Sequence, residues 1–294
     1  RWRHGRYGTT SAFLNQVRTM TKVAFVTGAS RGIGRETALA FARAGFDLAI
    51  SARSLEEGEH HLHGLRNSDG SALPGSLNAT AAAIRTLGRR ALVVPMDVLD
   101  SASVLAASQA VFAEYGRVDV LINNAIYQGS DLNAPFMALA PDTLERVFQG
   151  YVMGPFLLTR AVVSGMLAQG GGVVINVTSG AGESDPPVAA GKGGWGYAYG
   201  AGKAAVSRLS GILSVELGEQ GIRAYTLNPG VVTTDALRAT VGEQGVIALR
   251  AGSAPPHVPA AVMLWLATQE AAVDHQRKTV HCQPFAREQR IVEW

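Results

Sequence analysis

From Val23 onward the chain alternates short runs of β-branched and apolar residues with longer segments of helical period. No other feature constrains the fold as much, because strands joined through crossover helices pair in parallel, and a parallel sheet carries helices on both faces. Strands are predicted at Val23–Thr27, Leu48–Ala52, Ala91–Met96, Val120–Ile122, Val173–Val177 and Ile222–Leu227, with a weak seventh near Thr279–His281. Helices are predicted at Ile33–Ala44, Leu77–Leu87, Ser103–Tyr115, Thr143–Leu167, Tyr199–Leu217 and Ala260–Ala267. Gly45, Gly88, Gly116 and Gly218 each follow a helical pattern, where a left-handed residue would turn the chain back toward the next strand. The expectation is an α/β fold with one doubly wound parallel sheet of about seven strands, in a single domain over residues 21–273.

Composition agrees. Hydrophobic residues make up 47% of the chain and charged residues 17%, below the roughly 25% charged of an average globular domain. The net charge of +3 comes from scattered basic residues, which argues against a nucleic-acid groove. A single cysteine, Cys282, excludes an internal disulfide and a Cys-based zinc cluster and suits a reducing cytoplasm. No apolar run approaches the length of about 18 expected of a membrane span. Residues 1–20 are basic, acid-free and poor in apolar residues, and fit either a disordered leader ahead of a start at Met20 or a mitochondrial transit peptide. The dominance of Arg over Lys in the body favours the leader and the cytoplasm. Residues 54–76 and 180–196 lengthen two connections beyond the minimum, and 274–294 read as irregular.

The first strand runs into Thr27-Gly28-Ala29-Ser30-Arg31-Gly32-Ile33-Gly34 and then into a helix. Glycines in that turn let a pyrophosphate approach the backbone, where free N–H groups and the positive helix end receive its charge. Gly28, Ser30, Arg31, Gly32, Ile33 and Gly34 are therefore candidate cofactor contacts; the same glycine spacing at Gly196, Gly200 and Gly202 follows no strand and reads as incidental. About 20 residues beyond such a turn, an acid holds a ribose 2′-hydroxyl or an Arg accepts a 2′-phosphate. Here the second strand ends Ser51-Ala52-Arg53. With no acid at Ala52, Arg53 and Arg31 would surround a phosphate, favouring NADP(H) over NAD(H).

Tyr199 and Lys203 stand four apart on a predicted helix and so share one face. A nearby ammonium stabilises a phenolate, so the pair is expected to depress the Tyr199 pKa and to let it exchange a proton with a carbonyl or alcohol oxygen.

In order, TGASRGIG, NNA, a Ser after the fifth strand, YGAGK and NPGVVTT resemble the short-chain dehydrogenase/reductase family over about residues 20–270. The resemblance implies a Rossmann-type sheet, NAD(P)(H) binding, hydride transfer between cofactor and a carbonyl or hydroxyl carbon, and a homodimer or homotetramer. Motif by motif, it makes Ser179 the residue that bonds the substrate oxygen, Tyr199 the acid/base, and Lys203 the residue that holds the nicotinamide ribose. It places Asp97 and Val98 at the adenine, Asn124 and Ala125 beside the cofactor, and Pro229, Gly230, Val232 and Thr234 around the carboxamide. Ile126 stands where the family usually has Gly, Tyr151 where it commonly has Asn, and the usual terminal Asp-Gly-Gly is missing. Ile126 and Tyr151 keep a second function in view, a dinucleotide-binding protein without turnover. His60, His61 and His63 read as exposed loop residues rather than metal ligands, and Trp195 either lines a hydrophobic substrate pocket or packs its loop onto the body.

Overall fold

Strands with no polar face belong in the middle of a sheet, and the chain supplies several. The computed structural model describes residues 21–294, so the expected leader over 1–20 lies outside the described residues. Val23–Thr27 (β1), Asp47–Ala52 (β2), Ala91–Pro95 (β3), Val120–Asn123 (β4), Gly172–Val177 (β5), Ile222–Asn228 (β6) and Thr279–His281 form one parallel sheet. Its order is β3-β2-β1-β4-β5-β6 followed by Thr279–His281, with Val26 paired to Ile50 on one side and to Ile122 on the other. β1 and β4 are buried throughout because helices cover both faces.

Gly32–Arg43 (α1) and Leu77–Thr86 (α2) share one face with a C-terminal helix, His257–Thr268; Phe41, Leu48, Ile50, Ile84, Val262 and Leu266 fill the core between them. On the other face, Ser101–Tyr115 (α3) and the helices after β4 enclose Phe25, Leu121, Val111, Leu158 and Val174. Strand order reverses between β1 and β4, and open α/β sheets bind ligands beyond the C-terminal strand ends at such a point.

Several expectations need correction. The single helix expected over Thr143–Leu167 is Pro141–Phe148 (α4) and Gly154–Ala168 (α5), joined by the π-helical turn Gln149–Met153. Together these cover 28 residues with a mean hydropathy of 1.4 in their most apolar window, longer and more apolar than the sequence reading allowed; Leu158, Val162, Val163 and Met166 bury one side of α5 in the core. Tyr197–Leu217 (α6) does not end on a left-handed Gly218; a tight turn follows, and Gly221 takes the positive φ of 87°. The short strands Val231–Val232 (β7) and Ser253–Ala254 (β8) pair beside Asp235–Leu249 (α7), a helical stretch kinked at Gly242. His257–Thr268 is α8. Thr279–His281 (β9), the weak seventh strand, takes the sheet edge as expected, while the rest of 274–294, expected to be irregular, contains Cys282–Glu288 (α9). Phe285 of α9 meets Trp265 of α8 edge to face at 5.1 Å, and that contact with the buried Cys282 anchors the segment.

Candidate active site

At the sheet's reversal point the glycine turn is built by close approach rather than by flexibility. Gly28 has φ 69°, and a Cβ there would lie 2.8 Å from Asn124 Nδ2; a Cβ on Gly34 would lie 2.2 Å from the carbonyl oxygen of Gly28. Thr27 Oγ1 donates to Ile122 O at 3.0 Å and accepts from the N–H groups of Asn124 and Ala125, each at 3.0 Å. Asn124 Nδ2 donates to Thr27 O at 2.9 Å. Asn124 and Ala125 thus stitch the turn to β4. The Asn124 amide is occupied in holding the turn. Gly32 opens α1 and faces Thr234. A cleft of about 320 Å³ runs between the turn, Gly75 and Thr233–Asp235, with Arg31, Arg35 and Arg238 along its walls.

At the end of β2 the two expected arginines are both present. Arg31 Nη2 donates to Ser54 Oγ and to Gly75 O, each at 3.1 Å, while its buried Nε has no partner. Arg53 Nη1 donates to Leu62 O at 3.1 Å and lies 4.0 Å from Asp97 Oδ2. Asp97 also accepts from Leu99 N at 2.9 Å, which fixes it at the mouth of the site. Val98 turns its side chain into the core, leaving only its backbone to meet a purine. An unpaired buried guanidinium nitrogen is costly and is the kind of group a bound phosphate satisfies.

The catalytic candidates converge from two elements. Ser179 follows β5 and caps the turn Gly180–Gly182, its Oγ accepting from Ala181 N at 3.3 Å. Tyr199 and Lys203 come from one face of α6. Burial raises the Tyr199 pKa, and the neighbouring Ser179 side chain pulls it the other way. The depressed Tyr199 expected from the Lys203 charge is therefore not found: desolvation of the phenol outweighs the pairing inferred from sequence. Lys203 is 3% exposed, and burial pushes its pKa down to about 7. Its Nζ donates to Val177 O at 2.8 Å and stands 5.3 Å from the Tyr151 ring centre. Tyr151 meets that cation with its ring face; its buried hydroxyl has no partner, so it does not supply the hydrogen bonds of the Asn it replaces.

Pro229, Gly230, Val232 and Thr234 lie where β6 leads into α7. Gln283 of α9 donates to Val231 O at 2.9 Å behind them, and Asn228 Oδ1 accepts from Gly230 N at 3.0 Å. Ile126 is half-buried and packs against the cluster that includes Tyr127, Leu132 and Tyr151. Trp195 packs over Gly200 at the start of α6, and Gly196 and Gly202 are in tight contact, with Ala134 O and with Val147 and Tyr151, so this glycine set serves helix packing. His61 bonds Ser54, and the ring of His63 lies 6.4 Å from that of Tyr127.

Sequence reading missed Thr27 and a buried amide chain in which Asn123 Nδ2 donates to Asn176 Oδ1 and Asn176 Nδ2 to Ser210 Oγ, both at 2.8 Å. This chain fixes α6, and with it Tyr199, on the sheet. Polar residues inside otherwise apolar strand runs were the available signal.

The sequence profile of the family described as short chain dehydrogenase matches residues 22–78 and 71–244. A "Short chain dehydrogenase mpl6" of Monascus purpureus is 33% identical over 216 residues, 73% of this chain and 66% of its own length. Among solved structures, a 7 alpha-hydroxysteroid dehydrogenase complexed with NADH and 7-oxo glycochenodeoxycholic acid superposes with a TM-score of 0.72 at 26% identity, over 89% of this chain and 93% of that one. A metagenomic short-chain oxidoreductase in complex with NADP superposes with a TM-score of 0.67 at 27% identity, over 90% and 97%. With its parallel sheet, its glycine turn and its Ser179, Tyr199 and Lys203, the chain belongs to the short chain dehydrogenase family of NAD(P)-dependent oxidoreductases.

Proposed function

We propose that the protein is an NADP(H)-dependent oxidoreductase that interconverts a carbonyl and an alcohol on a hydrophobic small molecule. The observation that carries the cofactor choice is the pair Arg31 and Arg53 at the end of β2, with Ala52 in place of an acid and a buried Arg31 Nε awaiting an acceptor. The relatives leave this open, one being solved with NADH and another with NADP.

The Gly28–Gly34 turn, Lys203 and the Pro229–Thr234 segment would hold a nicotinamide dinucleotide, which would supply or take up the hydride. Ser179 Oγ and the Tyr199 hydroxyl, near enough for Ser179 to pull the phenol's pKa down, can both address one substrate oxygen: Ser179 fixes it and Tyr199 moves the proton. Burial raises the Tyr199 pKa above that of an ordinary phenol, so the free protein is set to give a proton to a carbonyl oxygen rather than to take one. The exposed rings of Phe136 and Tyr197, 6.1 Å apart, and the nearly bare Met137 form an apolar rim ahead of α6, which supports the choice of a hydrophobic substrate. Exposed Ile212 and Val215 on α6, with Phe148, Met153 and Phe156 on the neighbouring helical run, support a homodimer or homotetramer. The single cysteine and Arg-rich composition support a cytoplasmic setting.

Calorimetric titration with each cofactor tests the reading. NADPH is expected to bind about tenfold or more tighter than NADH, and Arg53→Ala to erase most of that difference. Equal dissociation constants in the unmodified protein would overturn it.

A further inference from the structure

The connection between β2 and α2 leaves the body and re-enters it at adjoining points. Leu77 N donates to Ser54 O at 3.0 Å and Asn78 N to Leu55 O at 3.2 Å, so the ends of the excursion 56–75 already meet. The sheet does not need this excursion, but it brings one side chain back to the end of β2. His61 Nε2 lies 3.1 Å from the oxygen of Ser54, which is buried and also accepts from Arg31 Nη2 at 3.1 Å. The turn that presents His61 is held from the same side: Arg53 Nη1 donates to Leu62 O at 3.1 Å, and Gly64 N to His61 O at 3.0 Å. His63 is forced to φ 55°, a left-handed conformation that a non-glycine residue keeps only when its surroundings impose it. Arg31 from the glycine turn, Arg53 from β2 and His61 from the excursion thus converge on Ser54.

We propose that His61 is a third ligand for the phosphate on the adenosine ribose, so that NADP(H) recognition in this chain carries a proton. The proposal rests on the NADP(H) reading above. The charged groups facing His61 are Arg31, Arg53, Asp97 and, on its own excursion at 3.5 Å, Glu59. Burial, followed by the charge of Arg53, holds the imidazole below its ordinary range in the free protein. A dianionic phosphate beside it reverses that balance and favours the imidazolium, which donates to a phosphate oxygen. NADPH binding then takes up a proton, and NADPH affinity falls as pH rises through the bound-state pKa. NADH has no phosphate there and shows neither effect.

The test is calorimetry on the full chain with NADPH and NADH, in two buffers of different ionisation heat, between about pH 6.5 and 8.5, above the second phosphate ionisation near 6. It compares the unmodified protein with His61→Gln and His61→Lys, with thermal melts as a folding control. Expected is fractional proton uptake with NADPH alone. His61→Gln keeps a partner for Ser54, loses the uptake and binds NADPH about tenfold more weakly at the low end of the range, about 1.4 kcal/mol. His61→Lys, with a permanent charge, restores tight binding without pH dependence. Unchanged NADPH affinity and uptake in His61→Gln would overturn the role of His61 while leaving the cofactor reading intact. Equal losses for both cofactors in both variants would make His61 a brace for its loop and also overturn it. An unmodified protein that binds NADH as tightly as NADPH would instead remove the cofactor reading beneath the proposal.

Discussion

Replacing Lys203 by Met should make the cofactor-free protein more stable at neutral pH while removing its activity. Lys203 is buried, and its pKa falls from the ordinary 10.5 to about 7. At about 1.36 kcal/mol per pKa step, the folded state at pH 7 carries a penalty of about 4 kcal/mol relative to a neutral side chain. The sign follows from linkage. Between pH 7 and 10.5 the unfolded chain binds the proton that the folded chain has released, so the protein gains stability relative to the variant as pH rises. By pH 10 the penalty shrinks to about 1 kcal/mol. Met fills a similar volume but leaves Val177 O, now 2.8 Å from Nζ, without its donor, at a cost of about 1–3 kcal/mol. The net expectation is a gain of about 2 kcal/mol at pH 7, or a rise of about 4–8 °C in Tm, and a loss near pH 10. Thermal melts of both proteins without cofactor at the two pH values, followed by circular dichroism, measure it. A variant that melts below the unmodified protein at pH 7, or a difference that does not change sign with pH, would refute the reasoning.

Ser179→Ala should lower the maximal rate of carbonyl reduction about 100-fold while changing NADPH affinity less than about twofold, because its hydroxyl addresses the substrate oxygen; steady-state kinetics and calorimetry separate the two. Gly34→Ala puts a Cβ 2.2 Å from Gly28 O, and equilibrium titration should show NADPH binding weakened about 100-fold or the fold lost. Truncation after Lys278 removes β9 and α9 and exposes Trp265, so urea unfolding should show a loss of about 3 kcal/mol or more.

The centre of the fold was legible because strands buried on both faces leave apolar runs, and β1, β4 and β5 stand out on that ground. The π-helical turn Gln149–Met153 was not, since one extra residue in a turn barely disturbs a 3.6-residue period. β9 showed only as a weak strand and α9 not at all, because both are short and owe their order to contacts such as Trp265 with Phe285. The residue types of the site were readable from TGASRGIG and YGAGK, but their electrostatics were not. A sequence shows that Lys203 follows Tyr199 by four positions; it does not show that the fold buries Lys203 and half-buries Tyr199, and burial decides both pKa directions. His61 was set aside as an exposed loop residue because its approach to Ser54 depends on a long excursion closing on itself.

Turnover tests the central claim most directly: purified protein, a panel of apolar ketones and aldehydes, and NADPH, with cofactor absorbance and alcohol product measured together. The expected result is NADPH loss matched one for one by alcohol, falling about 100-fold or more in Tyr199→Phe while NADPH still binds. NADPH binding without turnover of any carbonyl, or a Tyr199→Phe variant that reduces the same substrate at the full rate, would contradict it.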